Sequence, residues 1–218
     1  MTDIIYIINP NSTEAVTRGI DAAIAPLRLA GGPVLECLTL EEGPPGIQSQ
    51  RDVDSVVVPL CRLIGKLDAR AAAFVIACFS DPGLHSARET THKPVLGIME
   101  CGIFTALTLG QRFGVIAILQ TSIARHLRTI ITMGVQSRLA GERAIGLPVI
   151  ELSDESKTLT RMIGAAKALR DDGADSVVMG CAGMAQYRER VEQAAGIPVV
   201  EPTQAAVAMA LGRVRLGW

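Results

Sequence analysis

Two cysteines follow apolar runs that are typical of buried strands, and they occupy matching places in the two halves of the chain. Cys78 follows the run 71–77 in "RAAAFVIACFSD", and Cys181 follows a similar run in "GADSVVMGCAGM". Ligands of open α/β sheets bind beyond the carboxyl ends of the strands. A thiolate on one side of a carbon atom and a thiol on the other could remove one proton and return another. The pair therefore predicts two-base racemisation.

A helix is expected after each cysteine, around 84–91 and 184–194. The positive end of a helix dipole favours a thiolate, so we expect both pKa values to lie below the ordinary value of about 8.5. An enolate oxygen that develops during the reaction would need backbone N–H donors. The candidates are the turn residues Phe79, Ser80, Ala182 and Gly183. The alternative is that both cysteines are small buried hydrophobes, and their matching positions favour the functional interpretation.

Polar residues also follow the first strand of each half. In "INPNST" (8–13), Asn11 could cap the next helix with Glu14 as its capping-box partner, or it could bind substrate together with Pro10 and Ser12. The corresponding segment of the second half, "LQTS", offers Thr121.

Two further features lie close to these candidates. Asp81 could cap the helix that follows it, orient the thiol, or bind an N–H group of a ligand. The loop "EGPPGIQS" (42–49) is either a plain connector or a lid.

The elements that position these residues alternate between strands and helices. Apolar runs at 4–8, 33–40 and 71–77 predict strands, and helical spacing over 16–27 and 57–67 predicts helices. This order indicates an α/β fold with doubly wound parallel sheets.

The order then repeats in the second half. Segments beginning at 113, 173 and 198 align with segments beginning at 3, 70 and 94, at offsets of 110, 103 and 104 residues. We expect two similar lobes related by a pseudo-twofold axis, with the active site in the cleft between them. The first lobe would comprise 1–97 plus 201–218, and the second 98–200. The fall in offset is assigned to a longer loop at 41–52.

Composition excludes several classes of function. The chain has 218 residues, a net charge of −1 and seven aromatic residues, so neither a basic surface nor a stacking platform indicates a nucleic-acid partner. No apolar stretch approaches the roughly 20 residues that a membrane span needs, and no signal peptide is expected. Five cysteines without CxxC spacing predict reduced thiols in the cytoplasm. Cys37, Cys61 and Cys101 are assigned no catalytic role.

No cofactor is expected either. The sequence contains no GxGxxG, Walker A or HExxH motif, and the three histidines lack metal-ligand spacing. A nucleotide, pyridoxal phosphate or a metal therefore has no motif that would bind it.

The motifs "INPNST", "GPPGI", "ACFSDPGL" and "GCAGM" together resemble the hydantoin racemase branch of the aspartate/glutamate racemase superfamily, over nearly the whole chain. The resemblance implies a two-lobed α/β fold, homo-oligomers and cofactor-independent inversion by two cysteines, here Cys78 and Cys181. It also implies substrate contacts from Asn9 to Thr13 and from Ser80, Asp81 and Gly183. Ala117 and Ile118 stand where family members often have two threonines.

We therefore expect a racemase that inverts C5 of a 5-substituted hydantoin or of allantoin. Alternatives within the superfamily are an amino-acid racemase, a maleate-type cis–trans isomerase and a decarboxylase. A different class is a non-catalytic binder of small ligands or a thiol redox sensor.

Overall fold

A computed structural model of the protein describes residues 3–152 and 154–218. Within these residues, short strands alternate with helices along the whole chain. The strands are β1 (Ile4–Asn9), β2 (Val34–Thr39), β3 (Ala71–Ile76), β4 (Val95–Gly97), β5 (Phe113–Ala117), β6 (Leu139–Ala144), β7 (Ser176–Met179) and β8 (Val199–Val200). The α-helices are α1 (Glu14–Ala23), α2 (Gln50–Ser55), α3 (Val57–Leu67), α4 (Leu84–Thr90), α5 (Ile98–Leu107), α6 (Gln120–Thr132), α7 (Glu155–Asp171), α8 (Arg188–Ala195) and α9 (Pro202–Leu216).

The strands form two four-stranded sheets whose strand pairs are all parallel. The first sheet has the order β2-β1-β3-β4, and the second has the order β6-β5-β7-β8. The same order of strands thus occurs twice along the chain. The predicted α/β fold with two similar parallel-sheet lobes is confirmed.

The chain divides into two compact units. Unit 1 comprises the residues up to Cys101 together with Thr203–Trp218, and unit 2 comprises Gly102–Pro202. Each unit contains one of the sheets. None of the helices within the described residues has the length and apolar character that a membrane crossing requires.

The sheet of unit 1 is buried because its two central strands are apolar on both faces. Every residue of β1 is buried, and so are Ala73 to Ile76 of β3. Tyr6 and Phe74 pair across these strands, and their rings stack with centroids 5.9 Å apart. A continuous apolar run of this kind is typical of a parallel strand that is covered on both sides.

The helices of unit 1 bury the face that their periodicity predicts. In α3, Leu60 and Ile64 pack into the same cluster as Val53 of α2 and Leu84 of α4. α2 begins with a capping box, because the Ser49 hydroxyl accepts the Asp52 N–H while the Asp52 carboxylate accepts the Ser49 N–H. The predicted helix at 57–67 is confirmed.

The hydrogen-bond register corrects the internal alignment. Ile5 pairs with Ala73 in the first sheet, whereas Phe113 pairs with Ser176 in the second. With β3 and β7 at the predicted offset of 103, the first strands of the two sheets are offset by 108 and not by 110. The sequence alignment slipped by two residues because β1 and β5 are buried on both faces, and a continuous apolar run has no alternation that would fix the alignment.

The register also corrects the site of the extra residues. Leu35 pairs with Ile5, and Leu139 pairs with Phe113, so β2 and β6 are offset by 104 at this pair and by 105 after the register shift that follows Phe113. Most of the fall in offset therefore occurs between the first and second strands of each sheet. Its assignment to the loop at 41–52 was wrong for most of the difference.

Candidate active site

Cys78 and Cys181 have the same position in their respective sheets. Each lies two residues beyond the end of its strand, β3 for Cys78 and β7 for Cys181. The residue before each cysteine extends the pairing with the neighbouring strand: Ala77 donates its N–H to the Ile8 carbonyl, and Gly180 donates to the Ile116 carbonyl, both at 2.8 Å. Each cysteine therefore begins the turn at the carboxyl edge of its own sheet.

The surroundings of Cys78 differ from the helix N-terminus that was expected. Cys78 is half-buried and packs against the hydrophobic cluster of unit 1. Its carbonyl accepts the Asp81 N–H at 2.9 Å, which closes a turn, and α4 begins only at Leu84. The predicted helix is present, but the Asp-Pro-Gly segment separates its first turn from the thiol.

Cys181 directly precedes a 3-10 helix, Ala182–Tyr187, and α8 follows only at Arg188. Burial raises the pKa of its thiol to about 11; the Gly183 N–H, which donates to the sulfur, opposes this, and the nearby Glu201 carboxylate adds to it. The expected low pKa was wrong for Cys181, because the loss of hydration outweighs one favourable donor. The Gly183 N–H, expected at an enolate oxygen, contacts the thiol instead.

Glu201 is a neighbour of Cys181 that the sequence interpretation missed. It follows β8 and is only 2% exposed, and its negative charge acts on the Cys181 thiol. A signal was present, since "PVVEP" places one acidic residue directly after an apolar run. At the offset of 104, the matching residue of unit 1 is Gly97.

The turn after β1 is held together by its own asparagines. The buried Asn11 side chain accepts the Thr13 N–H at 2.9 Å and the Asn9 side-chain amide at 3.1 Å. Thr13 is the N-cap of α1, and Glu14 is exposed and pairs with Arg18. The predicted capping box between Asn11 and Glu14 was therefore wrong: Asn11 shapes the turn two residues before the N-cap Thr13.

The loop at 42–49 is bonded to this turn. Pro44 accepts the Ser12 N–H at 3.0 Å, and Pro45 accepts the Thr13 hydroxyl at 2.7 Å. A Cβ at Gly43 would overlap the Pro10 carbonyl, so the close approach requires glycine. Ile47 is buried in the core of unit 1. These contacts favour an anchored connector over a swinging lid.

Asp81 caps a helix, although not the one that was expected. Its carboxylate accepts the N–H groups of Met99 and Glu100 at 2.8 and 2.9 Å, at the start of α5. The first helix after it, α4, has Gly83 as its N-cap and receives no side-chain hydrogen bond there. Asp81 is therefore bound to the backbone of unit 1.

The remaining candidates differ in exposure. Phe79 and Ala182 are buried, and Ser80 is half-buried. Thr121 lies exposed in the first turn of α6, whereas its neighbour Ser122 is fully buried.

Each sheet thus gathers part of the candidate set at its carboxyl edge. In unit 1 the Asn9–Thr13 turn and the Cys78 turn follow the paired strands β1 and β3. In unit 2 Thr121, Cys181 and Glu201 follow the neighbouring strands β5, β7 and β8.

Two of the other thiols, Cys37 and Cys101, lie in surroundings that disfavour the thiolate. Burial and the neighbouring Asp21 raise the pKa of Cys37 to about 12. Burial also raises the pKa of Cys101. Cys61 is half-buried beside the core of unit 1. Within 3–152 and 154–218, no three His, Cys, Asp or Glu side chains are grouped so that they could hold a metal.

Comparison with known proteins identifies relatives over the full length. The family model described as "Asp/Glu/Hydantoin racemase" matches residues 5–210. The chain is similar to the hydantoin racemases of Paenarthrobacter aurescens (33% identity over 98% of this chain and 92% of that protein) and Rhizobium meliloti (34% over 98% and 90%). The solved structure of allantoin racemase from Klebsiella pneumoniae superimposes with a TM-score of 0.90 at 31% identity, covering 99% of this chain and 89% of that one. With its two four-stranded parallel sheets and a family match over almost its entire length, the chain belongs to the Asp/Glu/hydantoin racemase family.

Proposed function

We propose that the protein is a cofactor-independent racemase that inverts C5 of a hydantoin-type ring, with Cys78 and Cys181 as the two acid–base groups. The observation that carries this proposal is the matched placement of the two thiols. Cys78 lies two residues past β3, and Cys181 lies two residues past β7. The residue before each cysteine donates its N–H to the neighbouring strand, β1 in unit 1 and β5 in unit 2. If the two cysteines were only small buried hydrophobes, nothing would require them to occupy matching positions in the two sheets.

The substrate class is inferred from the relatives. Proteins named hydantoin racemase and allantoin racemase share about 30% identity with this chain over nearly its whole length. Both names refer to substrates with a hydantoin ring, in which a carbonyl group adjoins the stereogenic carbon. That carbonyl acidifies the C5–H bond, so a thiolate can serve as the base.

The proposed reaction is a balanced proton exchange. A thiolate takes the C5 proton, and the electrons of the C–H bond delocalise onto the adjacent carbonyl as an enolate. The thiol on the opposite face then protonates C5, which leaves the first sulfur as a thiol and the second as a thiolate. The raised pKa of Cys181 keeps it protonated near neutral pH, so in the resting protein we assign it the role of proton donor.

Substrate contacts are assigned to the carboxyl edges of the two sheets. The turn residues Pro10, Asn11 and Ser12 and the backbone of Phe79 and Ser80 belong to unit 1. Ala182, Gly183 and Thr121 belong to unit 2, where the exposed Thr121 side chain is available to a ligand. The homo-oligomer implied by the resemblance belongs to the same proposal, and light scattering of the purified protein measures it.

A polarimetric screen tests the function. The purified protein is given pure enantiomers of 5-substituted hydantoins, allantoin, aspartate and glutamate. We expect loss of optical rotation with a hydantoin-type ring, with or without EDTA, and a loss of that activity when Cys78 or Cys181 is alkylated. Cys61→Ser is the matched control, because this half-buried thiol lies outside both turns. Activity on the free amino acids alone would overturn the substrate class.

A further inference from the structure

Both carboxylate oxygens of Asp81 are engaged by the backbone of unit 1. Oδ1 accepts the Met99 N–H at 2.8 Å and Oδ2 accepts the Glu100 N–H at 2.9 Å. These donors belong to the first turn of α5, where helical N–H groups lack partners within the helix. The side chain is 8% exposed. The carboxylate is therefore directed at the backbone of α5 and is almost completely buried.

The backbone of the same residue closes the turn that carries Cys78. The Asp81 N–H donates to the Cys78 carbonyl at 2.9 Å, and its own carbonyl accepts the Leu84 N–H at 3.2 Å. Asp81 therefore joins the Cys78 turn to the start of α4 through its backbone and to the start of α5 through its side chain. A displaced carboxylate would shift the turn with it.

The fold maintains this arrangement although the backbone conformation of Asp81 and the burial of its carboxylate are both unfavourable. Asp81 has a φ of +43°, in the left-handed region that side chains rarely adopt. Burial of its carboxylate raises its pKa to about 7, against the two N–H donors. Gly97 makes room for the group, since a Cβ there would overlap the Asp81 carboxyl. A strained backbone conformation that persists at Asp81, in the turn of the candidate catalytic Cys78, indicates that this turn has to keep one particular geometry.

We propose that Asp81 is a positioning residue for Cys78: by tying the Cys78–Asp81 turn to the first turn of α5, it sets the place of the Cys78 sulfur. This inference rests on the proposed function, in which Cys78 exchanges a proton with the substrate. It replaces the expectation that Asp81 contacts the substrate itself.

Unit 2 provides an internal control. The offsets of 103 and 104 match Asp81 with Met184 and Gly97 with Glu201, so Cys181 has no equivalent carboxylate in its turn. Substitution of Asp81 should therefore affect Cys78 and leave Cys181 unchanged. A general loss of structure would affect both thiols.

The first test needs no substrate. Alkylation rates of Cys78 and Cys181 by iodoacetamide are measured by peptide mass spectrometry in the full chain. We expect Asp81→Asn to change the ratio of the two rates about tenfold, because thiol reactivity follows the local environment of the sulfur. Gly97→Ala should change it in the same way, since it displaces the carboxylate without removing its charge. Glu100→Gln is the control, because it removes a neighbouring charge and leaves the two backbone donors in place.

The second test reads each face of the ring separately. Deuterium exchange at C5 is followed in D2O on each pure enantiomer, and the Cys181→Ser variant identifies the enantiomer that Cys78 deprotonates. Asp81→Asn should slow exchange of that enantiomer by about 10- to 100-fold with little change in KM, as expected for a misplaced catalytic group. Exchange of the other enantiomer should persist. Equal slowing of both enantiomers, or an unchanged alkylation ratio, overturns the positioning role. A wild-type protein that exchanges no hydantoin-type ring overturns the proposed function instead, and the alkylation ratio then still decides for Asp81.

Discussion

At the scale of single residues, the two candidate thiols have different hydrogen-bonding and charged neighbours. Cys181 receives a hydrogen bond from the Gly183 N–H, yet burial dominates and raises its pKa to about 11, with a smaller contribution in the same direction from the charge of Glu201. Cys78 lies in a turn that Asp81 ties to α5. A two-base mechanism needs one acid and one base at any moment, so unequal surroundings suit the resting state of such an enzyme.

Glu201 provides a pH-dependent prediction for Cys181. Replacing it as Glu201→Gln removes a negative charge that disfavours the thiolate, so the thiol pKa should fall from about 11. The lower pKa should raise the alkylation rate of Cys181 at pH 8, because the thiolate is the reactive form. Peptide mass spectrometry after timed exposure to iodoacetamide measures that rate.

The control for this experiment is Glu189→Gln, which removes an exposed carboxylate of α8 in the same unit. It should leave the reactivity of Cys181 unchanged. Equal rates for wild type and Glu201→Gln would show that Glu201 does not set the charge state of the thiol.

The positions of the two cysteines could be predicted from sequence, whereas their charge states could not. Apolar runs located the strand ends, and so located Cys78 and Cys181 correctly. The pKa of Cys181 depends on how deeply its turn is buried and on a glutamate 20 residues further along the chain. The residues around Cys181 in the sequence show neither the depth of burial nor the proximity of this glutamate.

At the scale of elements, the contacts of the loop at 42–49 fix the turn that begins α1. Two carbonyl groups of the loop accept a backbone N–H and a hydroxyl from the turn, and Ile47 anchors the far end of the loop in the core. The turn in question carries Asn11 and Ser12, which we assign to the substrate. Loop and turn should therefore move as one piece.

Thr13→Val tests this coupling. The substitution keeps the β-branched shape and removes the hydroxyl that donates to Pro45, and Thr13 makes no side-chain cap that would be lost. We expect a loss of about 0.5–1.5 kcal/mol in the free energy of unfolding and faster hydrogen exchange over 42–48. Urea denaturation and mass-spectrometric hydrogen exchange measure the two effects.

Thr132→Val is the matched control, because its hydroxyl bonds only to a carbonyl within α6. Hydrogen exchange over 42–48 should be unaltered there. If Thr13→Val also leaves that exchange unaltered, the Thr13–Pro45 bond does not hold the loop, and its anchoring depends on the Ser12–Pro44 bond and on the buried Ile47.

Element types were predictable where one physical signal dominates. Buried parallel strands leave continuous apolar runs, and α3 leaves helical spacing, so β1, β3 and α3 lie where the pattern placed them. The alignment of the halves failed by two residues because such continuous runs contain no alternation that would fix the register. Only the backbone register, which pairs Ile5 with Ala73 and Phe113 with Ser176, removes that ambiguity.

At the scale of the whole molecule, the two sheets have the same strand order, but different side chains follow their strands. Both sheets place a cysteine at the same point, whereas the carboxylate comes from Asp81 in unit 1 and from Glu201 in unit 2. The repeated backbone accounts for two similar thiols, and the exchanged carboxylates account for their unequal surroundings. In the proposed two-base mechanism each thiol serves one enantiomer, because the two thiols act on opposite faces of C5.

Cys78→Ser and Cys181→Ser test that division of labour in the intact protein. Serine is nearly isosteric, but its hydroxyl is far less acidic than a thiol, so it replaces neither the base nor the proton donor. Inversion needs both groups, and each variant should lose racemisation by several orders of magnitude, as when one member of a catalytic unit is removed. The surviving cysteine, in its thiolate form, can still remove the proton from the face it reaches and return a solvent deuteron to that same face. Each variant should therefore exchange the C5 proton of one enantiomer in D2O without inverting it, and the two variants should select opposite enantiomers. NMR of the C5 proton on each pure enantiomer measures this directly.

Near wild-type racemisation by either variant would eliminate the two-cysteine mechanism, and exchange of the same enantiomer by both would mean that the thiols do not reach opposite faces of one carbon.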